Sequence, residues 1–261
     1  MQLTDEQFEQ YQSEGYVVVE DALSDETVDR VKTRLREYTH GDREPARFQT
    51  QTEPAVERGE IEVEDEGDAV RKFEGLGMVE ADDVFRSVAE HDRITDVAAQ
   101  LLGPNLKLLR SAAMFKPPAV GSEKGFHQDA AYYPIQPMDH VTVWIALDEA
   151  TTDNGCMNVV PGAHKDGLLG HEAVDYDTDI VIADRDFEKS DAIPVPMDAG
   201  DALFTHCLVP HFTAPNTTET WRRALIMSYM DARSRFTDSA DERPDWVDSV
   251  PIRGEEFPGC V

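Results

Sequence analysis

Apolar residues recur at helical spacing along the first hundred positions, and from Pro104 onward the pattern changes to short alternating runs. Ser24 stands ahead of Val28, Val31, Leu35 and Tyr38, which is a good N-cap followed by a stripe of period 3.6. The same reasoning predicts a helix over residues 4–13, then a short strand over 16–19. Two further helices are predicted near 82–90 and 93–102, the second stopped by Gly103-Pro104. Together these helices form a supporting layer, the helical part running over about residues 1–103.

Between them the pattern fails. Residues 41–68, "GDREPARFQTQTEPAVERGEIEVEDEGD", offer few large apolar positions and many breakers, so the stretch is expected to be a mobile loop or lid, or a plain surface insertion. After Pro104 come "LKLLRSAAMFK", "VTVWIALDEA", "CMNVVPG", "AIPVPM", "DALFTHCLV" and "WRRALIMSYM", short runs punctuated by Pro and Gly. Strands recurring without intervening helices predict an antiparallel sandwich or barrel over about residues 104–232. The fold class expected is therefore mainly β with helical additions, in one domain spanning residues 1–261, a length an all-β unit reaches. The C-terminal "DERPDWVDSVPIRGEEFPGCV" fits either a docking tail or plain surface.

Composition adds exclusions. Asp and Glu total 53 against 24 Lys and Arg, for a formal charge of −29. Nucleic acid and anionic membrane are ruled out as partners, since both require a basic patch. Arginine outnumbers lysine 17 to 7 and the acids are spread along the whole chain, the pattern of a surface adapted to molar salt. Three widely separated cysteines, Cys156, Cys207 and Cys260, form no Cys-x-x-Cys pair, which argues against a disulfide framework or a thiolate zinc site. With a polar, acidic start and no apolar run of about 20 residues, the chain is expected to lack membrane insertion and to work in a cytoplasm, that of a high-salt cell. Oligomeric state is not legible.

Chemistry concentrates in "GFHQDAAYYPI". His127 and Asp129 flank Gln128, and in an extended chain residues i and i+2 share a face, so both side chains converge on one ion while Gln128 points away. Spacing alone is weak evidence, because His40-Gly41-Asp42 and His164-Lys165-Asp166 repeat it. Those two lie at a helix end and in a turn, and are expected to be structural or surface residues. A third ligand must come from "GDALFTHCLVPHFTAPNTTETWRRALIMSYM", which offers His206 and His211. Two histidines and a carboxylate suit either a non-haem iron(II) oxygenase or a zinc hydrolase. Arg222 and Arg223 start an otherwise apolar strand and must point to opposite faces. One of them, buried, needs an anion, and a ligand carboxylate is the natural partner, unless both merely cap the sheet edge near Glu219.

In order and spacing, "FHQDAAYYPI", "VTVWIALDEATTDNGCMNVVPGAHK" and "GDALFTHCLVPHFTAPNTTETWRRALIMSYM", over roughly residues 106–230, resemble the phytanoyl-CoA dioxygenase family of iron(II)- and 2-oxoglutarate-dependent oxygenases, and "GYVVVEDALS" resembles its usual opening. The resemblance implies a double-stranded β-helix, the cupin-like jelly roll, with the N-terminal helices packed on the barrel. It implies His127, Asp129 and His211 as Fe(2+) ligands, and Arg222 as the residue that grips a carboxylate of 2-oxoglutarate. Trp144, Lys72 and Arg110 fall where cosubstrate-pocket residues lie in some members. Halogenases of the family replace the carboxylate ligand by a small residue, so Asp129 points to hydroxylation, with O2 consumed and succinate and CO2 released.

The substrate is expected to be a small or lipid-like molecule. No basic cluster suited to an acyl-CoA phosphate is present. Phe126, Tyr132 and Tyr133 beside the iron motif are the expected substrate contacts, and Met114 with Lys116-Pro117-Pro118 the framework leading into the site loop. The alternative is a non-redox metalloprotein of cupin type, an isomerase, hydrolase or binding protein, which would have no use for Arg222 and Trp144 as a cosubstrate pocket.

Overall fold

A computed structural model describes residues 2–43, 49–76, 78, 82–174, 179–183, 188–237 and 249–260. Among the described residues there are five α-helices: α1 (Asp5–Glu14), α2 (Asp25–Thr39), α3 (Pro54–Glu57), α4 (Asp83–Ala89) and α5 (Asp92–Leu102). The strands are β1 (Tyr16–Val19), β2 (Gln49–Thr52), β3 (Val70–Glu74), β4 (Leu106–Lys116), β5 (Lys124–His127), β6 (Ile135–Gln136), β7 (His140–Ala146), β8 (Met157–Val159), β9 (His171–Ala173), β10 (Ile180–Ile182), β11 (Ile193–Val195), β12 (Ala202–His206), β13 (His211–Thr213), β14 (Arg222–Asp231), β15 (Arg235–Phe236) and β16 (Val250–Arg253). The helices begin where capping chemistry places them. Thr4 forms a capping box with Gln7, and the Ser24 hydroxyl accepts from the Thr27 N–H, each worth about 1 kcal/mol.

Most of the described strands build the two main antiparallel sheets of a jelly roll, while β9-β10 and β6-β15 form two small two-stranded sheets. The larger runs β1-β12-β7-β14-β4-β3-β2, with β16 also paired to β4; the smaller runs β11-β8-β13-β5. Period-two alternation gives the large sheet two different faces. Val141, Val143 and Ile145 of β7, with Leu225, Met227 and Tyr229 of β14, pack with Val28, Val31 and Leu35 of α2, Phe85 and Val88 of α4 and Ile94 and Val97 of α5. The intervening positions, Trp144, Ala146, Ala224 and Ile226, face the smaller sheet with Met157 and Val159. The cavity that holds the site lies between the sheets. No described helix is long and apolar enough to cross a membrane.

Two expectations change. Residues 49–57 are neither loop nor lid: β2 pairs with β3, and Glu53, 1% exposed, precedes α3 and accepts from the Ser122 hydroxyl at 2.7 Å. A strand of Gln and Thr shows no apolar alternation, so pairing with a neighbour, not its own pattern, orders it. Residues 44–48 lie outside the described ones. The C-terminal stretch is also not plain surface, since β16 joins the large sheet and the buried Lys107 ammonium donates to the Cys260 carbonyl. Residues 238–248 of that stretch lie outside the described ones.

Candidate active site

β5 and β13 pair antiparallel with His127 directly opposite His211, and the ring centroids are 4.2 Å apart. Gln128 is extended (φ −117°, ψ 132°) and Asp129 opens a 3-10 turn, Asp129–Tyr132, rather than continuing the strand. The carboxylate thereby turns back on the rings. Its Oδ1 lies 3.9 Å from His127 Nε2 and 3.8 Å from His211 Nε2. Among the described residues these three form the group of His, Cys, Asp or Glu whose ligand atoms all lie within 4.8 Å of one another, and all three are buried.

Hydrogen bonding selects the atoms that face the centre. His127 Nδ1 lies 2.9 Å from the Gly125 carbonyl and His211 Nδ1 2.9 Å from the Val209 carbonyl, so each Nδ1 carries the proton and each Nε2 presents a lone pair. Burial, then the facing His211 ring and the Lys124 ammonium, hold the His127 imidazole well below the usual histidine range. Burial alone would raise Asp129, but the adjacent His211 and His127 rings and the Arg110 guanidinium override it and hold the carboxyl well below the usual range. Among the described residues Asp129 Oδ2 has no hydrogen-bond partner. Two neutral imidazoles and an ionised carboxylate, buried on one side of an open space, are a donor set suited to a divalent first-row cation.

Gln128 points the other way. Its buried amide donates to the Gly167 and Leu208 carbonyls at 2.9 and 2.7 Å and accepts from Leu169 N–H at 2.8 Å, while its backbone N–H donates to His171 Nε2 at 3.1 Å. These bonds fix the extended link between the two candidate ligands.

Arg222 opens β14 opposite Lys116 of β4 and is 2% exposed. Its guanidinium lies 5.4 Å from the Trp144 ring centre and faces the cavity, where Nε and Nη1 lack hydrogen-bond partners among the described residues. Burial pulls its pKa down to about 10. Arg223 turns to the other face and forks onto Asp148 at 2.7 and 2.8 Å. Of the adjacent pair, Arg222 is the one left without a carboxylate partner among the described residues, and Arg223 is held by Asp148 rather than by Glu219.

Trp144, Lys72 and Arg110 all line the same cavity. Arg110, however, forks onto Glu74 at 2.7 and 2.9 Å, and Lys72 lies 3.3 Å from the same carboxylate. Lys124, Thr142, Met157, Thr205, Thr213 and Ile226 also line it and were not singled out from the sequence; Met114, expected as framework, lines it too. Parity could have found Thr142, two residues before Trp144, and Met114, two before Lys116. Nothing in the sequence marks Lys124, whose ammonium reaches Asp179 and, at 3.1 Å, the Tyr132 hydroxyl.

The expected aromatic contacts separate. Tyr132 lies beside the site, its ring 6.0 Å from that of His127. Phe126 faces the opposite side of β5 and stacks on Phe212 at 4.5 Å, in a cluster with Val160 and Ile182. Tyr133 is buried with Leu109, Ile135 and Met230. None of the three is among the cavity-lining residues: adjacent strand positions face opposite ways, which turns Phe126 away, and the turn after Asp129 sends Tyr133 into the core. His206 is turned from the centre and meets Asp139 at 3.8 Å and the His164 ring at 5.3 Å. His40 and Asp42 are exposed at the end of α2.

Residues 11–224 match the family model described as phytanoyl-CoA dioxygenase (PhyH). The chain is 26% identical over 266 residues to phytanoyl-CoA dioxygenase domain-containing protein 1 of Danio rerio, covering 89% of this chain and 91% of that one. Human peroxisomal phytanoyl-CoA dioxygenase is 24% identical, over 90% of this chain and 71% of its own. Among solved structures, apo EctD from S. alaskensis superposes with a TM-score of 0.73 at 20% identity, covering 98% of this chain and 88% of that one. The epimerase SnoN, solved with Fe3+, alpha ketoglutarate and nogalamycin RO, gives 0.69 at 22% identity, covering 97% and 96%. These structures share the jelly-roll fold.

Proposed function

The chain belongs to the phytanoyl-CoA dioxygenase family, and on that premise we propose that it is a non-haem iron(II)- and 2-oxoglutarate-dependent oxygenase that hydroxylates a small-molecule or lipid-like substrate. The observation that carries the reading is the pairing of the His127, Asp129 and His211 cluster with a buried, carboxylate-free Arg222 in one cavity. A metal site for hydrolysis or isomerisation has no need of the second feature.

The residues fit the absent groups. His127 Nε2, His211 Nε2 and an Asp129 oxygen would hold the iron, and the orphaned Asp129 Oδ2 and Arg222 nitrogens are the polar atoms a bound cation and a bound anion would satisfy. When bound, iron(II) with 2-oxoglutarate and O2 supplies the oxidation, with release of succinate and CO2, that inserts oxygen into a substrate C–H bond. Arg222 would grip the far carboxylate of the 2-oxo acid, and its stacking on Trp144 fixes the direction of the grip. The Gly125 and Val209 carbonyls hold both imidazoles in the tautomer that coordinates. Trp144, Met157 and Ile226 supply apolar walls that exclude water around the cosubstrate stem. Lys72 lies along the same wall, whereas Arg110 is committed to Glu74 and acts on the site through its charge near Asp129.

The test is an anaerobic titration of metal-free protein with iron(II) and then 2-oxoglutarate, following the weak visible band of a chelated 2-oxo acid. A band that appears in the parent protein and disappears in Arg222→Ala supports the reading. Iron binding without the band overturns the cosubstrate assignment.

A further inference from the structure

Behind Arg222 lies a second buried cation that the proposed chemistry does not use. Lys116 is the direct register partner of Arg222 across β4 and β14, so the two side chains leave the sheet on the same face. Lys116 is 4% exposed, and the structure is shaped around its stem. A Cβ on Gly121 would fall 2.7 Å from Lys116 Cα and Cβ, and one on Gly155, at φ +86°, would fall 2.9 Å from Lys116 Cδ. Two glycines thus make the slot through which the stem passes. At its end the ammonium donates to the Ser122 carbonyl, whose own hydroxyl donates to Glu53 Oε2 at 2.7 Å.

The charges around this pair do not balance. Arg222 and Lys116 carry two positive charges, and among the described residues the carboxylate whose charge acts on both is Glu53, which also feels the Arg71 charge. The other neighbouring carboxylates are already taken: Asp179 by both Arg71 and Lys124, Glu123 by Lys189 at 2.6 Å, and Asp148 by both Arg223 and Lys32. Positive charge is left over in a desolvated place, where uncompensated charge is costly. Burial, and next the Arg222 charge, push the Lys116 ammonium well below its usual value, which is the same conflict seen from the lysine.

We propose that Lys116 is a positioning residue for the Arg222 clamp: its buried ammonium keeps the guanidinium turned into the cavity and leaves the pair short of negative charge until a ligand carboxylate arrives. The inference rests on the reading of Arg222 given above. It deepens that reading by making the cosubstrate end of the cavity selective for 2-oxo acids with a second carboxylate. A short 2-oxo acid such as pyruvate supplies the chelating end but leaves the charge deficit in place.

The experiment measures binding of 2-oxoglutarate and of pyruvate to nickel(II)-loaded protein by calorimetry, together with the melting temperature before either is added. Lys116→Met keeps the stem in its glycine slot and removes the charge. The expected result is about tenfold weaker 2-oxoglutarate binding, unchanged pyruvate binding and a higher melting temperature of the cosubstrate-free protein. Glu53→Gln acts in the opposite sense, with 2-oxoglutarate bound more tightly and the cosubstrate-free protein melting lower. A purely structural lysine would lower the melting temperature and weaken both ligands alike, and that result overturns the proposal. If Lys116→Met does not fold, Glu53→Gln decides, since unchanged or weaker 2-oxoglutarate binding there also overturns it. Arg222→Gln separates the two claims. Should it leave 2-oxoglutarate binding intact, the clamp reading itself fails; should it weaken binding while Lys116→Met and Glu53→Gln change nothing, only the role of Lys116 fails.

Discussion

His127 and His211 face each other as register partners, and each gives its Nδ1–H to the carbonyl two residues before it, Gly125 and Val209, at 2.9 Å. The same local device thus sets both rings. Asp129 supplies the charge that two neutral rings lack. Asp129→Ala is expected to abolish hydroxylation and to weaken iron(II) binding by more than the roughly 10–100-fold that loss of an outer partner costs. Iron(II) titration of the purified variant checks it, and turnover at the parent rate would remove Asp129 from the ligand set.

Arg222→Ala is expected to raise the 2-oxoglutarate requirement rather than to unfold the protein. Two charge-assisted hydrogen bonds at about 1.5–3 kcal/mol each correspond to roughly a hundredfold or more in KM. Steady-state succinate release against 2-oxoglutarate concentration measures it, and an unchanged KM would assign the grip to another residue.

Among the described residues Glu74 is the carboxylate that pairs with both Arg110, at 2.7 Å, and Lys72, at 3.3 Å, and its side chain is 3% exposed. Replacing it with Gln strands two cations inside the barrel. A loss of about 3–5 kcal/mol in unfolding free energy is expected. Urea denaturation of Glu74→Gln gives the value, and a loss below 1 kcal/mol would mean that the cavity hydrates these cations without help.

Asp148 gives a pH signature. Burial raises its carboxyl, but Arg223 and Lys32 outweigh burial and hold it below the usual range. A depressed folded value means that the unfolded chain takes up the proton first as pH falls. Stability from this group is therefore complete above about pH 4 and is lost as pH drops through the lower folded value. The parent should be more stable than Asp148→Asn near neutrality, and the two unfolding free energies should converge in acid. A constant difference across the range would show that the carboxylate charge contributes nothing.

The formal charge of −29 makes stability depend on salt. Between 0.1 and 1 M ionic strength the screening length falls from about 10 to 3 Å, which relieves repulsion among the spread acids. The melting temperature is expected to rise with KCl over that interval. A flat response would show that the acidic surface is not self-repelling.

Local features were legible along the chain. Period-two alternation in "VTVWIAL" and "RRALIMSYM" separates a helix-facing row from a cavity-facing row, and the same parity sends Arg222 and Arg223 to opposite faces. N-caps and breakers place α1, α2 and α5 within a residue or two, because the backbone groups they satisfy lie within one turn. Tertiary structure alone decided which remote segments meet. Residues 49–57 carry no apolar period, yet Glu53 is buried because Ser122, 69 positions away, satisfies it. Phe126 and Tyr133 adjoin the motif in sequence but pack in separate clusters, since neighbouring side chains on an extended chain point apart. Lys116 was legible only as framework, and Lys124 not at all, for another reason. A long aliphatic stem carries its charge across several strands, so its partner is set by how the sheets stack and not by its neighbours along the chain.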